Sequence, residues 1–388
     1  MEDLYSRFGA SSAKEEVHQA IQNLDKGIEH GSFCKVLPDI LGKDANFLNV
    51  MHADGAGTKS ILAYLYWRQT GNVDVWKGIA QDAIVMNIDD LLCVGACTDF
   101  VVTSTLGRNK RLIPGEVIKA IIEGTEEFCE TMRSLGVATI FGGGETADVG
   151  DLVKTIIVDS NVSCRFPKSN FIVASKIKQG DVILGLSSTG QTNYEKDINS
   201  GIASNGITLA RHILLKNNYS ERYPESIDDY FLESGGYRGR FDLLDSPLQL
   251  HKTLGEGLLS PTRTFAPILK EIFKNIETSK ISGIIHNTGG GHSKVKNFIQ
   301  NVQIEKNVVW EIPEIFRLIQ QEAKIEDKEL LKTFNSGVRM EIYCDDRSAI
   351  EIKQICDSYN LKTFKIGKVE ACSEPSVRIQ SGDRIWNY

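Results

Sequence analysis

Carboxylates set on glycine-rich or apolar segments are the residues whose company implies chemistry in this chain. Asp54-Gly55-Ala56-Gly57-Thr58-Lys59 follows an apolar run, Asn46–His52, that reads as a strand. Glycines at a strand end let backbone N–H groups approach an anion. Lys59 can meet a phosphate, and Asp54 can hold a hard cation such as Mg2+ through oxygen. The spacing is not that of a P-loop, and a tight turn with incidental charge is the plainer alternative. Farther on, QDAIVMNIDDLL carries Asp82, Asn87, Asp89 and Asp90 among Ile84, Val85, Met86, Ile88, Leu91 and Leu92. Asp82 and Asp89 are seven apart, so they share a helix face, with Asp90 beside it. Carboxylates on a mostly buried helix are costly unless paired or metal-bound. A metal site shared with Asp54 is the sharper reading, a solvated acidic edge the blander one.

Three more segments suit anions. Gly142-Gly143-Gly144-Glu145-Thr146-Ala147-Asp148 follows a strand at Val137–Phe141 and reads as a sharp turn with exposed amides. Its two carboxylates near phosphate-binding loops make sense if cations neutralise them, as with Mg-ATP. In Ser200-Gly201-Ile202-Ala203-Ser204-Asn205-Gly206, Ser204 is placed to cap the next helix, whose N-terminus could receive a phosphate. His286-Asn287-Thr288-Gly289-Gly290-Gly291-His292 reads as another anion cradle, with His286 and His292 as acid–base candidates or ordinary polar residues.

The elements that must position these residues alternate between strand and helix patterns. Helices are expected at Val75–Gly95, Pro114–Leu135, Gly206–Lys216, Pro261–Lys274 and Ala349–Tyr359. Strands are expected at Phe100–Leu106, Val153–Arg165, Asp181–Ser187, Ile281–His286, Val338–Cys344 and Lys362–Val369. The pattern loosens around Pro167–Asn170, which divides the 388 residues into domains at 1–172 and 173–388. Residues 217–251 are polar and glycine-containing and read as an insertion or lid rather than core. The net charge of −7 argues against nucleic acid as the main partner. The eight cysteines include no CxxC pair, and Cys93 with Cys97 is a weak zinc signal, so reduced thiols in a cytoplasmic protein are expected. Met1–Ala20 lacks the apolar centre of a signal peptide, and no run is apolar enough to span a membrane.

The ordered set DGAGTK, QDAIVMNIDDLL, GGGETAD, SNGITLAR, LLSPTRTF, HNTGGG and NSGVRM resembles the aminoimidazole ribonucleotide synthetase superfamily, and within it the cyclo-ligase, over about residues 46–370. The resemblance implies an α/β (α+β) fold of two domains. The first domain would bind ATP and lend strands to a β-barrel at a homodimer interface; the second would be a layered α/β sandwich. It implies ATP-dependent ring closure of formylglycinamidine ribonucleotide in purine biosynthesis, with ATP and Mg2+ as cofactors. Site roles follow as expectations. Asp54, Asp82 and Asp90 would hold Mg2+. Gly55, Gly57, Thr58, Lys59, Gly142, Gly143, Gly144, Glu145 and Asp148 would meet ATP. Ser204, Asn205, Gly206, Thr288, Gly289, Gly290 and Gly291 would meet the ribonucleotide, and Asp54, Lys59, Asp90 and His286 would serve catalysis. The sequence also departs from the family pattern: Ala203 stands where the family carries His, Asp89-Asp90 replaces Asn-Asp, Gly31–Gly42 is unusual, and 217–251 is long. Selenophosphate synthetase, faintly echoed by Cys34-Lys35, a thiamine-monophosphate kinase-like enzyme and a non-catalytic dimeric regulator are the alternatives.

Overall fold

The strand-forming runs sort into two sheets, with one helix buried between them. The computed structural model describes residues 7–9, 19–20 and 23–388, so most of Met1–Ala20 lies outside the described residues. In the first sheet, β1 (Val36–Pro38), β2 (Phe47–Gly55), β3 (Phe100–Arg108), β4 (Thr139–Asp148) and β5 (Ile156–Pro167) stand in the order β1-β2-β5-β3-β4. The β3–β4 pair is parallel and the others antiparallel. Helices α1 (Lys59–Thr70), α2 (Val75–Leu92) and α3 (Gly115–Ser134) belong to this half of the chain. In the second sheet, β6 (Val182–Ser187), β7 (Ile281–His286), β8 (Val302–Asn307), β9 (Val338–Cys344), β10 (Thr363–Ala371), β11 (Ser376–Ser381) and β12 (Arg384–Asn387) stand in the order β12-β11-β8-β10-β6-β9-β7. Helices α4 (Ile207–Leu214) and α5 (Ala266–Asn275) belong here. The class is mixed α/β, as the resemblance implies.

Helix α2 has no solvent face from Asp82 to Leu92, where every residue is buried. Its Ile84, Ile88, Leu91 and Leu92 join one core with Val50, Phe100 and Val162 of the first sheet and with Phe265, Leu269, Ile284 and Met340 of the second half. The opposite face of the first sheet is open. β5 alternates buried Val158, Ser160 and Val162 with outward Ile157, Asp159 and Asn161. Register sets Met51, Ser163, Val101 and Ile140 in one row across four strands on that outer face, where Met51, Val101, Ile140 and Ile157 are all exposed.

Several local expectations are corrected. The Gly142–Gly144 segment is not a turn: it continues as β4 beside β3, with a register shift between Val102 and Ser104. β4 is the edge strand, so only its β3 side is used in the ladder. The helix expected from Pro261 begins at Ala266, leaving residues 261–265 outside any helix or strand. Residues 217–251 are not a polar appendage, since Tyr219, Tyr223, Ile227, Tyr237 and Leu243 are buried in the second core cluster.

Candidate active site

Helix α2 carries its carboxylates to the second half of the chain, and each finds a partner there. Asp82 is fully buried; its Oδ1 accepts from Lys59 Nζ at 2.9 Å and from the Thr262 backbone N–H at 2.8 Å. Lys59 Nζ also donates to the Ser260 carbonyl at 2.7 Å. Asp89 takes Arg339 Nη2 at 2.6 Å on Oδ2, and Thr264 Oγ1 at 2.8 Å on Oδ1. Burial pushes the Asp89 carboxyl up to about 6 despite Arg339. Asp90 Oδ1 lies 2.6 Å from His286 Nδ1, and Oδ2 lies 3.4 Å from His52 Nε2. The irregular segment after Ser260 and the arginine of NSGVRM thus answer the helix aspartates.

The three carboxylates expected to share Mg2+ are paired apart in this structure. Asp82 and Asp90 are committed to other partners, while Asp54 is exposed at the end of β2. Among the described residues no group of three or more His, Cys, Asp or Glu is placed to hold a metal ion. Lys59, expected to meet a phosphate, is here fully buried with its ammonium against Asp82. Asp54 instead sits beside Asp159. Gly55 is the register partner of Asp159, and a Cβ on Gly55 would collide with the Asp159 carboxylate. Burial raises the Asp159 pKa, and the Asp54 charge adds to it.

The second acid–base pair has sharper geometry. Burial pushes Asp90 up, but the hydrogen bond from His286 and the nearby Lys294 charge outweigh it, holding the carboxyl at about 2. Burial lowers His286 to about 4, with Asp90 opposing. At neutral pH the imidazole is therefore neutral, and Nδ1–H donates to ionised Asp90. That leaves Nε2 a bare acceptor, buried and without a hydrogen-bond partner among the described residues. His52, turned by Asn87 at 2.8 Å, completes the group. His292 is different: Nδ1 faces Glu341 at 3.2 Å and Nε2 faces the Asn335 carbonyl at 2.9 Å, so neither nitrogen is left for acid–base work.

The loops differ in how far their glycines are free. Gly57, Gly289, Gly290 and Gly291 all have positive φ. Gly57 and Gly289 border open space, whereas a Cβ on Gly291 would strike the Leu331 carbonyl. Thr288 is buried and its Oγ1 accepts from Lys294 Nζ at 3.2 Å. Ser204 does not cap α4: the N-cap is Gly206 without a side-chain cap, and the Ser204 hydroxyl faces Thr262 at 3.5 Å. Asn205 Nδ2 is buried without a partner among the described residues. Glu145 and Asp148 lie at the end of β4, where Arg108 holds Asp148 at 2.8 Å. A cavity of about 1290 Å³ opens beside Gly57 and Thr58, walled by the start of β5 and by residues 225–238. Asn87 was singled out with the helix aspartates, whereas His52, Asp159 and Lys294 were missed by sequence reasoning. The alternation along Ile156–Pro167 could have found Asp159; the others come from distant segments. Cys34 is buried and burial raises its thiol pKa well up, the reverse of an activated nucleophile.

Comparison with known proteins places these features in company. The family model "AIR synthase related protein, N-terminal domain" matches residues 42–163, and "AIR synthase related protein, C-terminal domain" matches 178–380. Relatives named phosphoribosylformylglycinamidine cyclo-ligase include one from Caldanaerobacter subterraneus subsp. tengcongensis, 31% identical over 336 residues, covering 82% of each chain. Another, from Alkaliphilus metalliredigens, is 29% identical over 382 residues, covering 93% of this chain and 94% of that one. Among solved structures, Thermotoga maritima PurL complexed with ADP superposes with a TM-score of 0.54 at 17% identity, over 97% of this chain but 47% of that one. A HypE–HypF complex gives a TM-score of 0.55 at 14% identity, covering 98% of both chains. Those structural likenesses establish the fold.

Proposed function

The chain belongs to the AIR synthase related protein family, and from that premise we propose that it closes the imidazole ring of formylglycinamidine ribonucleotide with ATP, giving aminoimidazole ribonucleotide, ADP and phosphate. The observation that carries the site assignment is the His286–Asp90 pair with its buried, unpartnered Nε2. A buried polar atom left bare asks for an explanation, and a ligand that completes it is one.

The formyl oxygen of the substrate attacks the γ-phosphorus, ADP leaves, and an O-phosphoryl imidate results. The amidine nitrogen then attacks the imidate carbon and loses a proton as phosphate departs. His286 Nε2 is assigned the acceptance of that proton, with Asp90 stabilising the imidazolium through Nδ1–H. His286 is fully buried, so its Nε2 is uncovered only when substrate enters. The Thr288–Gly291 turn and Ser204–Gly206 are assigned to the ribonucleotide. The nucleotide is assigned to the cavity beside Gly57 and Thr58. The residues expected for Mg2+ do not assemble a site, so no step is routed through a metal held by them. ADP release should be specific to formylglycinamidine ribonucleotide; release with selenide or thiamine monophosphate instead would replace this reading with one of the sibling activities.

A homodimer belongs to the same proposal. The exposed row of Met51, Val101 and Ile140, with Ile157 nearby, gives the open sheet an apolar stripe that a second copy would cover. Light scattering should then give about twice the chain mass of 43.1 kDa.

A further inference from the structure

We propose that the 217–251 segment, beyond filling core, supplies the base-reading wall of the nucleotide cavity, with Tyr230 as a stacking surface and Arg238 as an anion contact. The inference rests on the assignment of ATP to that cavity. Its floor is Gly57, Thr58 and the first residues of β5; the facing wall is the short helix Asp229–Glu233 and Arg238. The wall is held in place: Lys154, in the loop before β5, donates to the Ile227 carbonyl at 2.8 Å and pairs with Asp229 at 2.6 Å. The cavity is larger than most small-molecule pockets and has room for a nucleoside triphosphate.

Its charges are unevenly used. The acids on the wall are occupied, Glu225 by the Tyr64 hydroxyl and Asp228 as the N-cap that accepts from Tyr230 N–H at 2.9 Å. Arg238 is exposed on the cavity lining, and its guanidinium lies 5.6 Å from the centre of the Phe8 ring. An arginine so placed offers its fork to an anion. Tyr230 is 69% exposed although it lines the cavity, and its ring stands edge-on to Phe231 at 5.2 Å. A large aromatic face left to solvent inside a concave wall, with a cation beside it and approachable glycine amides on the floor, is the donor set for a planar base joined to phosphates.

Calorimetric titration of the full chain with a non-hydrolysable ATP analogue and with inorganic triphosphate, both with Mg2+, tests this. Tyr230→Ala should weaken the analogue by about tenfold or more, the scale of one lost base stack, and leave triphosphate unchanged. Arg238→Ala should weaken both, with Arg238→Lys recovering part of the loss. If wild type binds the analogue and Tyr230→Ala binds it equally well, the wall does not read the base and the inference falls. If wild type fails to bind the analogue, the cavity assignment itself falls and takes the inference with it. Unchanged melting curves for the variants separate lost binding from lost folding.

Discussion

Removing the Asp89 carboxylate should unfasten the two halves of the molecule. Asp89 and Arg339 are both buried, with 2.6 Å between Oδ2 and Nη2, and the Asp89 Oδ1 also receives Thr264 Oγ1 and the Phe265 N–H at 2.8 and 3.2 Å. In Asp89→Ala the guanidinium stays buried without its counter-charge, and two donors lose their acceptor. Breaking one side of a buried pair costs about 3–5 kcal/mol. At roughly 2–4 °C per kcal/mol for a large domain, the melting temperature should fall by about 6–20 °C. Arg339→Met in the same background should recover part of the loss, because an apolar side chain of similar size no longer needs an acceptor. The Asp89→Ala, Arg339→Met cycle, followed by calorimetry and urea unfolding, would therefore be strongly non-additive. Additive effects, or a single-variant loss below about 1 kcal/mol, would refute the idea that α2 is fastened through its charges. The pH dependence has a definite sign. Asp89 is raised to about 6 from an ordinary 3.8, so the added stability that its proton lends is fully present below the unfolded value and lost as pH rises through 6, leaving the ionised pair with Arg339. Asp89→Asn should remove that downward slope between about pH 4 and 6.

Three other outcomes follow from the geometry. His286→Asn should lower kcat by about a hundredfold, the usual scale for a lost acid–base group, while leaving KM for ATP little changed; an unchanged kcat in steady-state assays removes His286 from the chemistry. Gly291→Ala should destabilise the protein more than Gly289→Ala by denaturant titration, since both have positive φ but the Leu331 carbonyl blocks a Cβ at 291 alone; equal losses would show that strain, not space, governs the turn. Asp90 and Glu341 are both held at about 2 by their partners against the push of burial, so their stabilisation is present above about pH 4 and lost as pH falls toward 2. Glu341→Gln should flatten that acid limb, and an unaltered limb would assign it to other carboxylates.

Periodicity made much of the scaffold legible. The α2 segment reads as a helix from its apolar spacing, and the β2, β3, β5 and β9 runs read as strands from their β-branched content and length. What periodicity could not supply is the partner of each charge. Asp82, Asp89 and Asp90 were rightly seen as carboxylates too buried to stand alone, yet pairing and metal binding satisfy the same physical requirement. Only the fold shows that Lys59, Arg339 and His286 meet the need. The Gly142–Gly144 run misled because glycine is a turn signal by default, whereas here absent side chains let β4 pass close to Ser104 of β3. The 217–251 segment misled through its polar composition, which hides tyrosines that bury their rings while their hydroxyls find partners, as Tyr219 and Tyr237 do.

Ring closure through a phosphorylated formyl oxygen leaves an atomic record. With heavy oxygen placed in the formyl group of formylglycinamidine ribonucleotide, and with ATP and Mg2+ supplied, mass spectrometry of the products should find the label in inorganic phosphate, one atom for each aminoimidazole ribonucleotide and ADP formed. Label released into water, or ADP formed without any labelled phosphate, would contradict the proposed reaction.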